Sequence, residues 1–235
     1  MRREKSVEYA SQFLASAMGV NPSIARSRDR WHTSRTGAAA SMAASTTRQR
    51  LIDNAYALFT RQGFHAVGLD RILHETGVSK QTFYNHFQSK DDLVLAVLDK
   101  RSEIDLATFR DMLCEFAGDD PRAQLDAIWD VLDAWFNRDD FRGCIFITAA
   151  AEFPFRHDPA HEKAAAHAAR MQRLLADIAE RAGADDPVAL AERLFILIDG
   201  AFVVRHVTGN DRAADIAREN ARLVLDCHLP VTQLV

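Results

Sequence analysis

A chain of 235 residues with 48% hydrophobic content can bury one large core or two small ones, which excludes a disordered tail. Its longest apolar stretch, Leu190 to Val207, is broken by Glu192, Arg193, Asp199, Arg205 and His206, so no segment reaches the roughly 18 uninterrupted apolar residues of a spanning helix. The formal net charge of −4 hides an asymmetry: residues 1–45 carry +4, residues 46–101 carry +2 and the remainder −10, so an anionic partner is attracted to the N-terminal third alone.

Arg2, Arg3 and Lys5 ahead of the run Phe13 to Val20 have a faint signal-peptide look, which Glu4 and Glu8 spoil. Cys114, Cys144 and Cys227 are odd in number, far apart and without a CxxC pair, a usage that fits a reducing cytosol. The expected address is cytoplasmic. Residues 21–46 are rich in Ser, Arg, Ala, Thr and Gly with little apolar periodicity, so residues 1–45 read as a flexible extension. Two readings of it stand side by side: a basic arm that touches nucleic acid, or a segment upstream of an alternative start at Met42.

From there every signal is helical. Thr46-Thr47-Arg48-Gln49 is a capping box, and Leu51, Ile52, Ala55, Leu58 and Phe59 form one apolar stripe that ends at Gly63. Leu69, Ile72 and Leu73 give a short second helix stopping at Gly77. Ser79 caps a third, on which Phe83 and Phe87, four apart, face inward, and Ser89-Lys90-Asp91-Asp92 caps the next. Asp120-Pro121, Asp158-Pro159 and Asp186-Pro187 each supply a capping carboxylate followed by a proline at the first helical position. Gly209-Asn210-Asp211 separates the last two helices, the second of which runs to about Cys227 before Pro230. With no alternating strand pattern and no repeat, the class is all-α with roughly nine helices.

Two short helices joined at Gly77-Val78-Ser79 can lay the second across a DNA major groove. With Phe83 and Phe87 inside, Lys80, Gln81, Thr82, Tyr84, Asn85 and His86 are left facing outward or sideways. Gln81 and Asn85 can each pair bidentately with adenine, and Lys80 or His86 with guanine.

At Gly63-Phe64, Ile72, Gly77-Val78-Ser79, Thr82-Phe83-Tyr84, His86-Phe87 and Ser89-Lys90, with Leu93 three residues on, the string from Thr47 to Leu93 resembles the DNA-binding domain of the TetR family of bacterial regulators. The resemblance implies a homodimeric transcription repressor without cofactor or catalysis. The helix after Ser79 is then expected to read half of a palindromic operator in double-stranded DNA, with Tyr84 and Lys90 on phosphates and Thr47, Arg48 and Gly68 on the same face. Two departures matter. Val67-Gly68 stands where the family usually opens its second helix with Thr or Ser, removing a side-chain cap, and Gln81 stands where it often has Gly, which points to altered base preference.

The resulting division is a flexible extension over 1–45, a helix-turn-helix domain over 46–92, and a ligand-binding and dimerisation domain over 93–235. In the last, Phe109, Met112, Phe116, Trp129, Trp135, Phe136, Phe146 and Phe153 supply bulky lining for a cavity suited to a small hydrophobic or aromatic effector. Cys144 joins that set and, after Arg142-Gly143, resembles the Gly-Cys at the start of a middle helix in some of these regulators. It is either a thiolate that senses electrophiles or an inert buried thiol. His157, Asp158, His161 and Glu162 have metal-like composition, although Asp158-Pro159 already explains itself as a helix start and no metal is expected.

The helix from Pro187 to about Thr208 is apolar nearly all round. Its Leu194, Leu197, Ile198, Ala201 and Phe202, with Ile216, Ala217 and Val224 on the last helix, are the expected homodimer interface. No nucleophile elbow, phosphate-cradling glycine loop or HExxH supports an enzyme. The alternative to a repressor is a dimeric ligand-binding or interaction protein with a redox-sensing Cys144 and little DNA binding.

Overall fold

The computed structural model describes residues 47–229. The extension with Met42, the Thr46 end of the capping box and Pro230 lie outside the described residues. Among those described, nine helices and no strand are present: α1 (Thr47–Gln62), α2 (Leu69–Thr76), α3 (Lys80–Tyr84), α4 (Lys90–Ala117), α5 (Pro121–Phe136), α6 (Ile145–Glu152), α7 (Pro159–Arg181), α8 (Pro187–Thr208) and α9 (Ala213–His228).

Helix starts follow the side-chain chemistry. Ser79 accepts from the Thr82 amide and Ser89 from the Asp92 amide, while Asp92 reaches back to the Gln88 amide, so α3 and α4 begin with two of their orphan donors satisfied. All three Asp-Pro pairs cap as expected, on α5, α7 and α8. Gly68 caps α2 without a side-chain hydrogen bond, as the Val67-Gly68 departure requires. Gly77 ends α2 at φ 64, a left-handed conformation that glycine adopts without steric cost.

Two cores result. The first gathers Leu51, Phe59, Phe64, Val67, Ile72, Phe83 and Phe87 around the start of α4, and it extends past residue 92 to Leu98 and across to Ile145, Phe146 and Ala149 of α6. The second packs α5, α7, α8, α9 and the far half of α4, with Trp129, Leu125, Leu175 and Leu194 fully buried. The 28-residue helix α4 runs through both, contributing Leu93 and Val97 to one and Phe109 and Met112 to the other.

A polar seam ties α6 to the α1–α2 connection. The Glu152 carboxylate at the end of α6 accepts from the backbone N–H groups of Phe64 at 2.9 Å and His65 at 2.8 Å, and the His65 ring returns a contact to the Glu152 carbonyl at 2.9 Å. Gly63 is the residue that allows this: a Cβ there would lie 2.4 Å from Glu152 Oε1, and its φ is 84.

Candidate functional site

The helix-turn-helix follows from its two phenylalanines. Phe83 and Phe87 are buried, their rings 5.7 Å apart, so the intervening residues turn outward. Lys80, Gln81, Tyr84, Asn85 and His86 are exposed and Thr82 is half-buried against the Ser79 hydroxyl at 2.8 Å. Lys80, Gln81 and Asn85 carry no side-chain hydrogen bond among the described residues, leaving their donors free for base edges and phosphates. Thr47 is half-buried at the start of α1, and the Arg48 guanidinium lies 5.1 Å over the Phe87 ring, on the same side as α3. Gly68 is exposed with open space around it.

Lys90 departs from expectation. Its ammonium turns inward and donates to the carbonyls of Phe64 at 2.8 Å and Val67 at 3.0 Å, tying the α1–α2 connection to the start of α4. Two of its three donors are thus committed to the fold, and its first role is structural.

Behind this unit lies a cavity of about 270 Å³ between α1, α4, α5, α6, α7 and α8. Phe109, Trp135, Phe141, Phe146, Phe195 and Phe202 supply its aromatic wall. Polar groups reach it from five directions, and most are already paired. Arg101 forms an ion pair with Asp105 one turn on, and its guanidinium lies 4.8 Å over the Tyr56 ring. Arg138 holds Asp140 through two bonds of 2.8 and 2.7 Å, which keep that carboxyl below the usual carboxylate range. His167 stacks on Phe146 at 3.7 Å and contacts Ser102 Oγ at 3.0 Å. Burial pushes the His167 imidazole down to about 4, so the ring is neutral at pH 7. Asp199 has no such partner among the described residues, and burial lifts its carboxyl to about 6.

Residues 51–97 match the profile of the bacterial regulatory proteins of the tetR family, and residues 121–221 that of the tetracyclin repressor-like C-terminal domain. A crystal structure of a TetR-family transcriptional regulator from Streptomyces coelicolor superimposes with a TM-score of 0.69 at 30% identity, covering 77% of this chain and 95% of that one. The chain belongs to the TetR family of transcriptional regulators. A second TetR structure, from Streptomyces avermitilis, gives a TM-score of 0.69 at 28% identity over 78% of this chain and 98% of that one. The chain spans about a quarter to a third of the length of the curated relatives it matches. The HTH-type transcriptional activator FasR of Mycolicibacterium smegmatis is 45% identical over 53 residues, 23% of this chain and 24% of its own length. The HTH-type transcriptional regulator UidR of Escherichia coli is 35% identical over 68 residues, 29% of this chain and 35% of its own length. The matched families and relatives are named as regulators of transcription, and no helix among the described residues is long and apolar enough to cross a membrane.

Within this TetR fold the expected lining divides. Phe109, Trp135, Cys144 and Phe146 reach the cavity. Met112, Trp129 and Phe136 do not: they are buried in the second core behind it, and Phe116 is half-buried against that core. Phe153 packs on Phe64 and His65 in the seam with Glu152, because α6 ends there and turns its last side chains away from the cavity. The lining residues missed include three rings, Phe141, Phe195 and Phe202, and a polar set with two members from the first helix: Tyr56, Thr60, Arg101, Asp105, His161, His167 and Asp199. The i, i+4 spacing of Arg101 and Asp105 was a readable pair, but nothing local aims it inward.

The surroundings of Cys144 disfavour a thiolate. Although Cys144 caps α6, burial outweighs the amides of Ile147 and Phe146 and pushes the thiol up to about 12, the opposite direction from a lowered thiolate pKa. No group of three metal-ligating side chains occurs among the described residues; Asp158 caps α7 and His161 Nδ1 contacts the Phe153 carbonyl at 2.8 Å.

The expected dimer set also needs correction. Leu194, Ile198, Ala201 and Ala217 are buried within the protomer, Ile198 and Phe202 line the cavity, and Leu197 and Val224 are half-buried against the second core. The expected set took the inner face of α8 for its outer one. Of those eight residues Ile216 alone is exposed, and the uncovered large apolar side chains on these two helices are Val188, Ile196, Val203, Val204 and Val207 on α8 with Ile216 and Leu223 on α9.

Proposed function

We propose that this chain is a homodimeric, cytoplasmic repressor that binds a palindromic operator through α3 and leaves it when a small, largely apolar effector fills the cavity. The observation that carries this reading is the presentation of Lys80, Gln81 and Asn85 in solvent by a helix whose phenylalanines are buried.

Dimerisation is supported by the outer face of α8. Ile196, Gly200, Val203 and Val207 recur at helical spacing, all exposed, and nothing lies within 4 Å of where a Gly200 side chain would begin. A second copy of the same stripe can approach closely there, with Ile216 and Leu223 extending the contact. Two recognition helices set about one turn of DNA apart then demand a two-fold symmetric site.

Coupling is supported by α6. Its first residues, Ile145 to Ile147, wall the cavity, and its last, Glu152, holds the backbone at Phe64 and His65. An effector that displaces the first turn of α6 moves the anchor of the α1–α2 connection, and with it the docking of α3. The route is short and made of one rigid element.

The test is selection of bound genomic fragments by the purified protein, followed by transcription from the recovered site with and without protein. A two-fold symmetric consensus and lowered transcription support the reading. Bound DNA with raised transcription makes the protein an activator, as the relative FasR is named, and no retained fragment removes the DNA-binding function altogether. Within this reading Gln81→Ala relaxes choice at one base position, costing about 1–3 kcal/mol of discrimination there.

A further inference from the structure

Of the ionic groups on the cavity wall, the cations already have partners: Arg101 sits on Asp105 and Tyr56, Arg138 on Asp140, and Arg142 donates to the carbonyls of Asp139 and Phe141. Asp199 is the exception among the carboxylates. It stands on α8 between Phe195, four residues before, and Phe202, three after, so all three share the inward stripe of that helix. Phe202 in turn lies 6.1 Å from the rings of both Trp135 and Phe141, and Trp135 lies 5.8 Å from Phe109. An anion without hydrogen-bond donor or counter-ion among the described residues, on a cavity wall that is otherwise largely aromatic, is an arrangement that costs free energy. A ligand that carries a positive charge inside an apolar body satisfies both at once: its charge meets the carboxylate, and its alkyl or aryl groups lie against the rings.

We infer that the effector cavity selects lipophilic organic cations, quaternary or tertiary ammonium compounds of one or two rings, with Asp199 as counter-ion and Trp135, Phe141 and Phe202 as the aromatic wall. This rests on the effector reading above and adds the charge of the ligand to it. Anions are disfavoured because Asp199 repels them and because Arg101 and Arg138 would have to leave Asp105 and Asp140 to receive them. Neutral aromatics fit the same volume but leave Asp199 unpaired.

The experiment compares three probes on the full chain by tryptophan fluorescence titration: benzyltrimethylammonium, its uncharged carbon isostere neopentylbenzene, and 3-phenylpropanoate. The expected order is cation, isostere, anion, with the cation about tenfold tighter than the isostere. Asp199→Asn, which keeps the shape and removes the charge, brings cation and isostere to within about twofold and leaves the isostere unchanged, whereas Asp199→Glu keeps the preference. The inference is overturned if the isostere or the anion binds as well as the cation, if Asp199→Asn leaves the preference intact, or if no probe binds. Release of operator DNA, measured with the same probes, separates the two readings: DNA release by the isostere alone leaves an effector-controlled regulator and removes its cation selectivity, and a bound cation that never alters DNA affinity does the reverse.

Discussion

On α3 and its C-terminal cap the side chains of Lys80, Gln81 and Asn85 stand in solvent without partners among the described residues, whereas around the cavity Arg101, Arg138 and His167 are held by Asp105, Asp140 and Ser102. The same missing partner therefore means different things in the two regions. At the surface water satisfies a polar group until a nucleic acid replaces it, at little cost. In the interior an unsatisfied group costs free energy, so one that persists, as Asp199 does, points to a ligand.

The comparison breaks most readily at the core that holds α3 in place. Phe83→Ala removes a fully buried ring and lowers stability by about 3–5 kcal/mol in a denaturant titration, with DNA binding lost through the fold rather than through contact. A smaller effect separates two lysines that look alike in sequence. Lys90→Ala strands two part-buried carbonyls and costs about 1.5–3 kcal/mol of stability, while Lys80→Ala leaves stability within about 0.5 kcal/mol and reduces the slope of DNA affinity against salt by about one. Should Lys80→Ala destabilise and Lys90→Ala only change the salt slope, the inward and outward assignments are reversed.

The seam tests whether the regions are connected. Glu152→Ala leaves the Phe64 and His65 amides without their acceptor and lowers the denaturation midpoint by the equivalent of about 1–3 kcal/mol, and it also reduces the difference in DNA affinity between effector-bound and free protein. An unchanged difference would place the coupling elsewhere.

Asp199 sharpens the interior half. Its carboxyl is raised to about 6 by burial, so the folded chain holds this proton more tightly than the unfolded chain, and its charge opposes folding as pH rises from the ordinary carboxylate range through about 6. Asp199→Asn is thus more stable than the parent above pH 6, by about 1 kcal/mol after allowance for solvent reaching the carboxyl, and the gain vanishes near pH 4. The smallest effect is expected at Gly68, whose extended backbone at φ −77 and open surroundings admit serine. Gly68→Ser supplies the missing cap on α2 and adds roughly a few tenths of a kcal/mol, read as a small rise in Tm.

Much of this was legible beforehand where the signal is local. Ser79, Ser89, Asp120, Asp158 and Asp186 cap because a side-chain oxygen two or three residues from an orphan amide needs nothing else in the molecule. Phe83 and Phe87 share a face because a helix puts i and i+4 there. Periodicity fails on α8, which is apolar on every side and so gives no sign of which face meets the protomer and which is left over. Leu194, Ile198 and Ala201 went inside, and Ile196, Val203 and Val207 stayed out.

The sequence by itself determined the helices, their caps, the family and the outward face of α3, all set by interactions spanning four residues or fewer along the chain or by a contiguous motif. Tertiary structure alone decided that Lys90 turns inward, that burial pushes the Cys144 thiol up, that Glu152 reaches the backbone at residues 64 and 65, and that Asp199 lines an aromatic-walled cavity with no counter-ion among the described residues. Each of these depends on how far water is excluded and on which distant helix packs alongside, and desolvation is a property of the assembled volume rather than of any stretch of chain.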